Sequence, residues 1–305
     1  MAPLNKSKWT AFVLIPFVVS ACSFGKVASD ITSGIFKDGS PIFEQDGDIE
    51  TSETAGLAMI KTLEVFYYAN PGNRNYLFLL AKAYGTYAFG FLENRMIQYK
   101  NDPAKYQIYA DRAKLFYSRG KQYGMQLMKR EDGGFKKAVE TGLLPLQKKI
   151  KHYGKHDVAS MFWLAFNWGS LINLSKDDIT AVADLPLVEA MMARVLEVNP
   201  AFYFAGPQLF YGVYYASRPA MLGGSPDKAK EHFAEAERLT GGKALMVYAL
   251  QAQFLATQLL DKALFEELLG KVDAGSVDAD PAQRLANALA KERAKLLRAH
   301  EAAYF

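Results

Sequence analysis

Cysteine occurs once in this 305-residue chain, at Cys22, and histidine four times, at His152, His156, His232 and His300. A single cysteine excludes an intrachain disulfide, so the fold must rest on its hydrophobic core. His152 and His156 have the i, i+4 spacing of a metal pair. Gly154 lies between them, however, no metalloprotease glutamate accompanies them, and the basic run QKKIKH precedes them. The segment reads as a solvated loop with Asp157 as an N-cap, and no metal is expected. No Gly-x-Ser-x-Gly elbow is present. Asp177, Asp178 and Asp184, in LSKDDITAVADLP, read as turn and capping residues rather than paired acids. Nothing in these patterns makes a positive case for an enzyme.

A nucleotide loop is also missing. The stretch LGGSPDKAKEHFAEAERLTGGK (222–243) has two Gly-Gly pairs, but Ala244 follows Gly242-Lys243 and Glu237 stands where a Walker loop needs its first glycine. As a helix the stretch is fully accounted for. Ser225 caps it, Pro226 suits its first turn, Asp227 meets the dipole, and Gly241-Gly242 closes it. Strand-like alternation is scarce throughout, which predicts an all-α fold. The formal charge is +4, falling to +2 without Lys6 and Lys8, and such a balance lacks the basic face of a nucleic-acid binder.

What is present begins with the leader. Lys6 and Lys8 form a basic region, Trp9 to Val19 a short apolar run, and Val19-Ser20-Ala21-Cys22 follows in the form of a bacterial lipobox. Residues 1–21 are read as a lipoprotein signal peptide, with Cys22 as the lipidated N-terminus and its lipid as the one attached group; no other cofactor is expected. The run is too short to favour a membrane span. Ser23 after the cysteine fits transfer to the outer membrane. Residues 22–53, rich in Gly, Ser, Asp and Thr, read as a tether with one docked turn, and 54–305 as a single helical domain.

Within that domain an apolar, apolar, small, aromatic pattern at offsets 0, 3, 4 and 7 recurs four times, the signature of the first helix in a tetratricopeptide-like (TPR-like) pair. The sets are Leu77, Leu80, Ala81, Tyr84; Met161, Leu164, Ala165, Trp168; Gln208, Tyr211, Gly212, Tyr215; and Leu245, Tyr248, Ala249, Ala252. Second helices start their own faces at Met59, Ala113, Val188 and Ala229, two ending in Asn-Pro at 70–71 and 199–200. The unequal spacing of these faces gives no fixed period, so the expected architecture is an α-α superhelix with irregular loops. The last helix is predicted from Pro281 to about His300.

Aromatic density peaks in MFWLAFNWG (161–169) and FYFAGPQLFYGVYYASRP (202–219). These rings either thicken the core and an oligomer interface or line a groove or pore for an apolar or amphipathic ligand. The residues singled out for such a passage are Trp163, Asn167, Trp168, Gln208, Tyr211, Tyr215 and Arg218. Arg218 either clamps a carboxylate or ties the long loop to a helix end.

Several phrases together resemble one family: ANPGNRNYLFLLAKAYGTYAFGFLE (69–93), RAKLFYSRGKQYG (112–124), DDITAVADLPLVEAMMARVLEVNPAF (177–202), YYASRPAMLGGSPDKAKEHFAEAERLTGGK (214–243) and RLANALAKERAKLL (284–297). They are similar to the T-component, or TatT-like, lipoproteins of TRAP transporters. The resemblance implies a homotrimer of TPR-like subunits with openings through them and a partner in the periplasmic solute-binding protein of a TRAP-type system. It also implies hydrophobic or amphipathic organic acids as ligands. Gln208 and Ser225 depart from the pattern, the former standing where many relatives carry histidine. The rival expectation is a TPR-like protein-interaction scaffold in envelope assembly, without a ligand.

Overall fold

The computed structural model describes the backbone of residues 16–305 and side chains from Gly25 onward; the first fifteen residues, on which most of the predicted leader falls, and the Cys22 side chain lie outside the described residues. Among the described residues every regular element is helical. In chain order they are α1 (Pro16–Gly39), α2 (Ile49–Ala69), α3 (Arg74–Tyr87), a π turn (Ala88–Leu92) and α4 (Glu93–Gln98). Next come α5 (Pro103–Glu131), α6 (Phe135–Thr141), α7 (Leu143–Ile150), α8 (Lys155–Asn173), α9 (Ile179–Ala183), α10 (Leu185–Val198), α11 (Phe202–Ala216) and α12 (Pro226–Thr240). The chain finishes with α13 (Leu245–Leu250), a second π turn (Gln251–Ala256), α14 (Thr257–Leu259), α15 (Lys262–Ala274) and α16 (Arg284–Ala299).

Local chemistry sets these boundaries. Asp48, Asn73, Asp102, Asp178, Ser225 and Asp261 each accept a backbone N–H of the first turn they precede. Asn70 and Asn199, each before proline, end α2 and α10. Gly241, at φ 60°, closes α12 in the left-handed region. The 222–243 stretch is thus a loop and a capped helix, as its composition implies. One boundary differs from expectation. Gly154, not Asp157, is the N-cap of α8, and the Asp157 carboxylate reaches back to accept the Gly154 N–H at 2.8 Å. A carboxylate in the third helical position satisfies the backbone N–H of the N-cap residue itself, one half of a capping box.

Long helices pack in sequence, α2 on α3, α3 on α5, α5 on α8, α8 on α10 and α11 on α12, and the chain then folds α13, α15 and α16 together. Of the four recurrent sets, every member is buried except Tyr215, which is half-buried. The expected tether is different. Its described part is the helix α1, which docks on α3 through the polar residues that gave it a linker-like composition. Asp30 accepts from Asn70 and Asn73 at 2.9 and 2.8 Å, Ser33 accepts from Asn73 and Asn75, and Tyr76 donates to the Ser29 carbonyl at 2.8 Å. The turn that follows is tied to the other end of the chain, since Leu285 N–H donates to the Glu44 carbonyl at 2.9 Å and Arg284 to that of Gln45.

Candidate functional site

The main internal feature is an apolar cavity of about 530 Å³, in the range of small-molecule sites. Its walls come from the end of α1, from α3 and its π turn, and from α8, α11, α13 and α16. Helix α11 lines it from Tyr203 to Tyr214, and Ser217 and Arg218 continue the wall just past the end of the helix. Phe89, Phe162, Trp163, Phe166, Phe210 and Phe254 are among the aromatic rings that line it.

The two ends of α11 differ chemically. At its start Tyr203, Phe204 and Ala205 all have left-handed backbones, with φ of 44°, 58° and 61°. For L-residues this costs roughly 1–2 kcal/mol each, and such strain persists only where surroundings enforce it. Here the Tyr203 hydroxyl donates to Glu44 at 2.8 Å, Glu44 pairs with Lys82 at 2.8 Å, and the Lys82 ammonium lies 5.4 Å from the Tyr203 ring centre. Burial, reinforced by the Glu44 charge, drives the Tyr203 phenol well above its ordinary pKa and keeps it a donor. The Tyr203→Phe variant should lose about 1.5–3 kcal/mol, the net worth of a hydrogen bond to a charged group, and thermal unfolding would register it; an unchanged midpoint would mean that the turn holds without its latch.

At the far end sits Arg218. Its Nη1 donates to the Tyr214 carbonyl at 3.1 Å, its guanidinium lies 3.7 Å from the Tyr214 ring centre, and its own carbonyl accepts from Gln258 at 2.8 Å. Arg218 therefore ties the loop to a helix end. Among the described residues no carboxylate forms a salt bridge with it, and Arg218 is part of the cavity lining. Burial lowers its pKa and also that of Lys176, to which the Arg218 charge adds; the Lys176 Nζ is 3.4 Å from the Ser217 carbonyl.

A second, polar chamber of about 290 Å³ adjoins the first, sharing Glu93, Asn173 and Phe254 with it. Behind this junction Arg293 is wholly buried. Its Nη2 donates to the Phe89 carbonyl at 2.7 Å and lies 3.7 Å from Glu93, its Nε donates to Asn94 at 2.8 Å, and its Nη1 donates to Gln253 at 3.3 Å. Two of these acceptors, Phe89 and Gln253, belong to the two π turns, a geometry often found at functional positions. Glu93 also accepts from Tyr117 at 2.5 Å; burial raises its carboxyl pKa while Arg293 and Tyr117 pull it back.

Of the seven residues singled out from sequence, the cavity is lined by Trp163 and Arg218. The other five lie outside its lining. Asn167 is fully buried, its amide donating to the Ala81 and Trp163 carbonyls at 2.9 and 2.7 Å, and Trp168 carries the Lys121 ammonium 3.8 Å above its ring. Gln208 meets the His232 ring at 2.6 Å, while Tyr211 and Tyr215 stack on that ring from neighbouring turns. Lys82, Glu93 and Arg293 had no signal in the sequence, because each occurs where an amphipathic helix ordinarily carries charge. Among the described residues no group of three or more histidine, cysteine or acidic side chains is placed to hold a metal, and no helix is long and apolar enough to cross a membrane.

A family model described as the TRAP transporter T-component matches residues 45–305. A curated relative, an uncharacterized protein of Treponema pallidum (strain Nichols), is 22% identical over 266 residues, covering 87% of this chain and 82% of the relative.

Proposed function

The chain belongs to the TRAP transporter T-component family, and on that premise we propose that it is a non-enzymatic, lipid-anchored component that holds or passes an amphipathic organic acid and docks a periplasmic solute-binding protein. In this reading Cys22 carries the lipid, the body faces the periplasm from the outer membrane, three copies assemble, and the successive helix pairs act as TPR-like repeats offering docking grooves. The observation that supports it best is the apolar cavity along α11 with the unpaired Arg218 cation at one end. An acid with a long apolar body fits both features, the body displacing water from the rings and the carboxylate meeting the guanidinium.

The test is equilibrium binding of a fluorescent long-chain fatty acid and of its methyl ester to the wild type and to Arg218→Ala. Loss of a charge-assisted contact of about 1.5–3 kcal/mol predicts that the acid binds some 10- to 150-fold more weakly to the variant, with the ester unaffected. Equal loss for both probes, or none, would refute Arg218 as the carboxylate partner. Docking is read separately, by retention of a solute-binding protein from periplasmic extract on the lipidated protein.

A further inference from the structure

The outward face of α1 is the least expected surface of the molecule. Its polar residues Ser29, Asp30 and Ser33 are hydrogen-bonded by Asn70, Asn73, Asn75 and Tyr76. Outside, between the exposed charges of Lys26 at one end and Lys37 and Asp38 at the other, runs an apolar stripe. Val27, Ile31 and Ile35 follow one another at i, i+4 and i+8 and are 52%, 61% and 67% exposed, and Ile42, beyond the next turn, is 65% exposed. Phe36 packs inward on Phe66, so the helix is anchored on one side while this row of large aliphatic side chains is left uncovered on the other.

Two observations say what covers this face. Ile35 and Ile42, at its far end, also line the apolar cavity, so the exposed stripe runs without interruption into the cavity mouth. At its near end Cys22 precedes Val27 by five helical residues, or about 7 Å of rise. We propose that α1 lies along the lipid surface with Val27, Ile31 and Ile35 immersed at the headgroup boundary, so that the cavity opens toward the bilayer. This rests on the reading of Cys22 as the lipidated residue. An acyl chain there places the first turns of α1 at the interface, where an apolar face gains about 25 cal/mol for each Å² it withdraws from water. Amphipathic ligands would then exchange between the cavity and the outer layer of lipid along the isoleucine stripe rather than through free solution.

The test uses the lipidated protein bound to vesicles of equal parts phosphatidylethanolamine and phosphatidylglycerol. With Cys22 consumed by its lipid, single cysteines are introduced as Ile31→Cys and Ile35→Cys, with Leu144→Cys and Ile179→Cys as exposed controls. Each is labelled with an environment-sensitive fluorophore. Labels at 31 and 35 should shift to the blue and be shielded from an aqueous quencher when vesicles are added, while the controls should not change. Acylated, vesicle-bound protein with solvent-exposed labels at 31 and 35 would overturn the inference and leave the anchor standing. Intact mass without acyl chains would overturn both. A blue shift that grows with protein concentration in the absence of vesicles would assign the face to a second copy, and so against lipid.

Discussion

Replacing Arg293 by alanine should destabilise the protein by about 3–5 kcal/mol, the usual cost of removing one partner of a buried ion pair. The guanidinium is wholly buried, and its loss leaves the Phe89 carbonyl and the Asn94 and Gln253 side-chain oxygens without this donor and the Glu93 carboxylate without its cation. Urea denaturation would measure the loss. Because an apolar replacement of the whole pair is often neutral, Arg293→Met combined with Glu93→Leu should recover much of it. A double variant as unstable as Arg293→Ala would show that the carbonyl contacts, and not the charge, matter most. The variant should also acquire a pH dependence. Glu93 faces Arg293 and the phenols of Tyr117 and Tyr106, and burial already raises its pKa. Without the cation, the folded carboxyl holds its proton to still higher pH than the unfolded one. Relative stability is then fully present below the unfolded value of about 4.3 and is lost as pH rises through the folded value. Arg293→Ala should therefore lose less, relative to wild type, in mildly acidic buffer than at neutral pH.

Gly120→Ala should cost about 3 kcal/mol, at the upper end of the usual range for overpacking a core. A methyl group at this position on α5 would stand 2.2 Å from Asn167 Oδ1 and 2.5 Å from its Cγ. Asn167 is held against retreat because its amide nitrogen is bound by two carbonyls, and its oxygen also lies so close to Gly85 that a Cβ there would stand 2.8 Å from it. The two glycines therefore clasp one amide where α3, α5 and α8 meet. Thermal unfolding of Gly120→Ala, alone and with Asn167→Ala, separates the causes. Partial recovery in the double variant is expected, and no recovery would place the clash in the backbones instead.

That clasp also shows where sequence reading stops. Helix ends at Asn70, Asn199, Ser225 and Gly241, and the buried faces beginning at Leu77 and Met161, were legible because capping and periodicity are local. Asn167 looked like a polar handle within an aromatic run. Its role depends on glycines 47 and 82 residues away, which no local pattern connects. Trp163, singled out as part of an aromatic run, and Arg218, singled out as a polar handle beside one, both line the cavity. The cavity itself draws on segments from Ile35 to Leu289, and its latch joins Glu44, Lys82 and Tyr203. The polar composition of residues 23–53 suggested a solvated linker because serine, aspartate and glycine serve equally well in water and against asparagines on another helix. Nothing in FYFAGP predicts three successive left-handed residues, since that conformation is imposed by tertiary contacts.

The paired π turns act as points of rotation. A π turn accommodates one residue more than the α-helix around it, and one residue is about 100° of helical phase. Before the first, Leu79, Lys82 and Thr86 face the large cavity; after it, Met96 and Ile97 face the small chamber. The second does the same, with Met246 and Leu250 on one side and Gln253 and Thr257 on the other. Each helix thus changes address midway and serves two rooms with one apolar stripe. Deleting a single residue at either point would act as a frameshift in space, swinging every downstream side chain out of its chamber without altering the reading of any other codon.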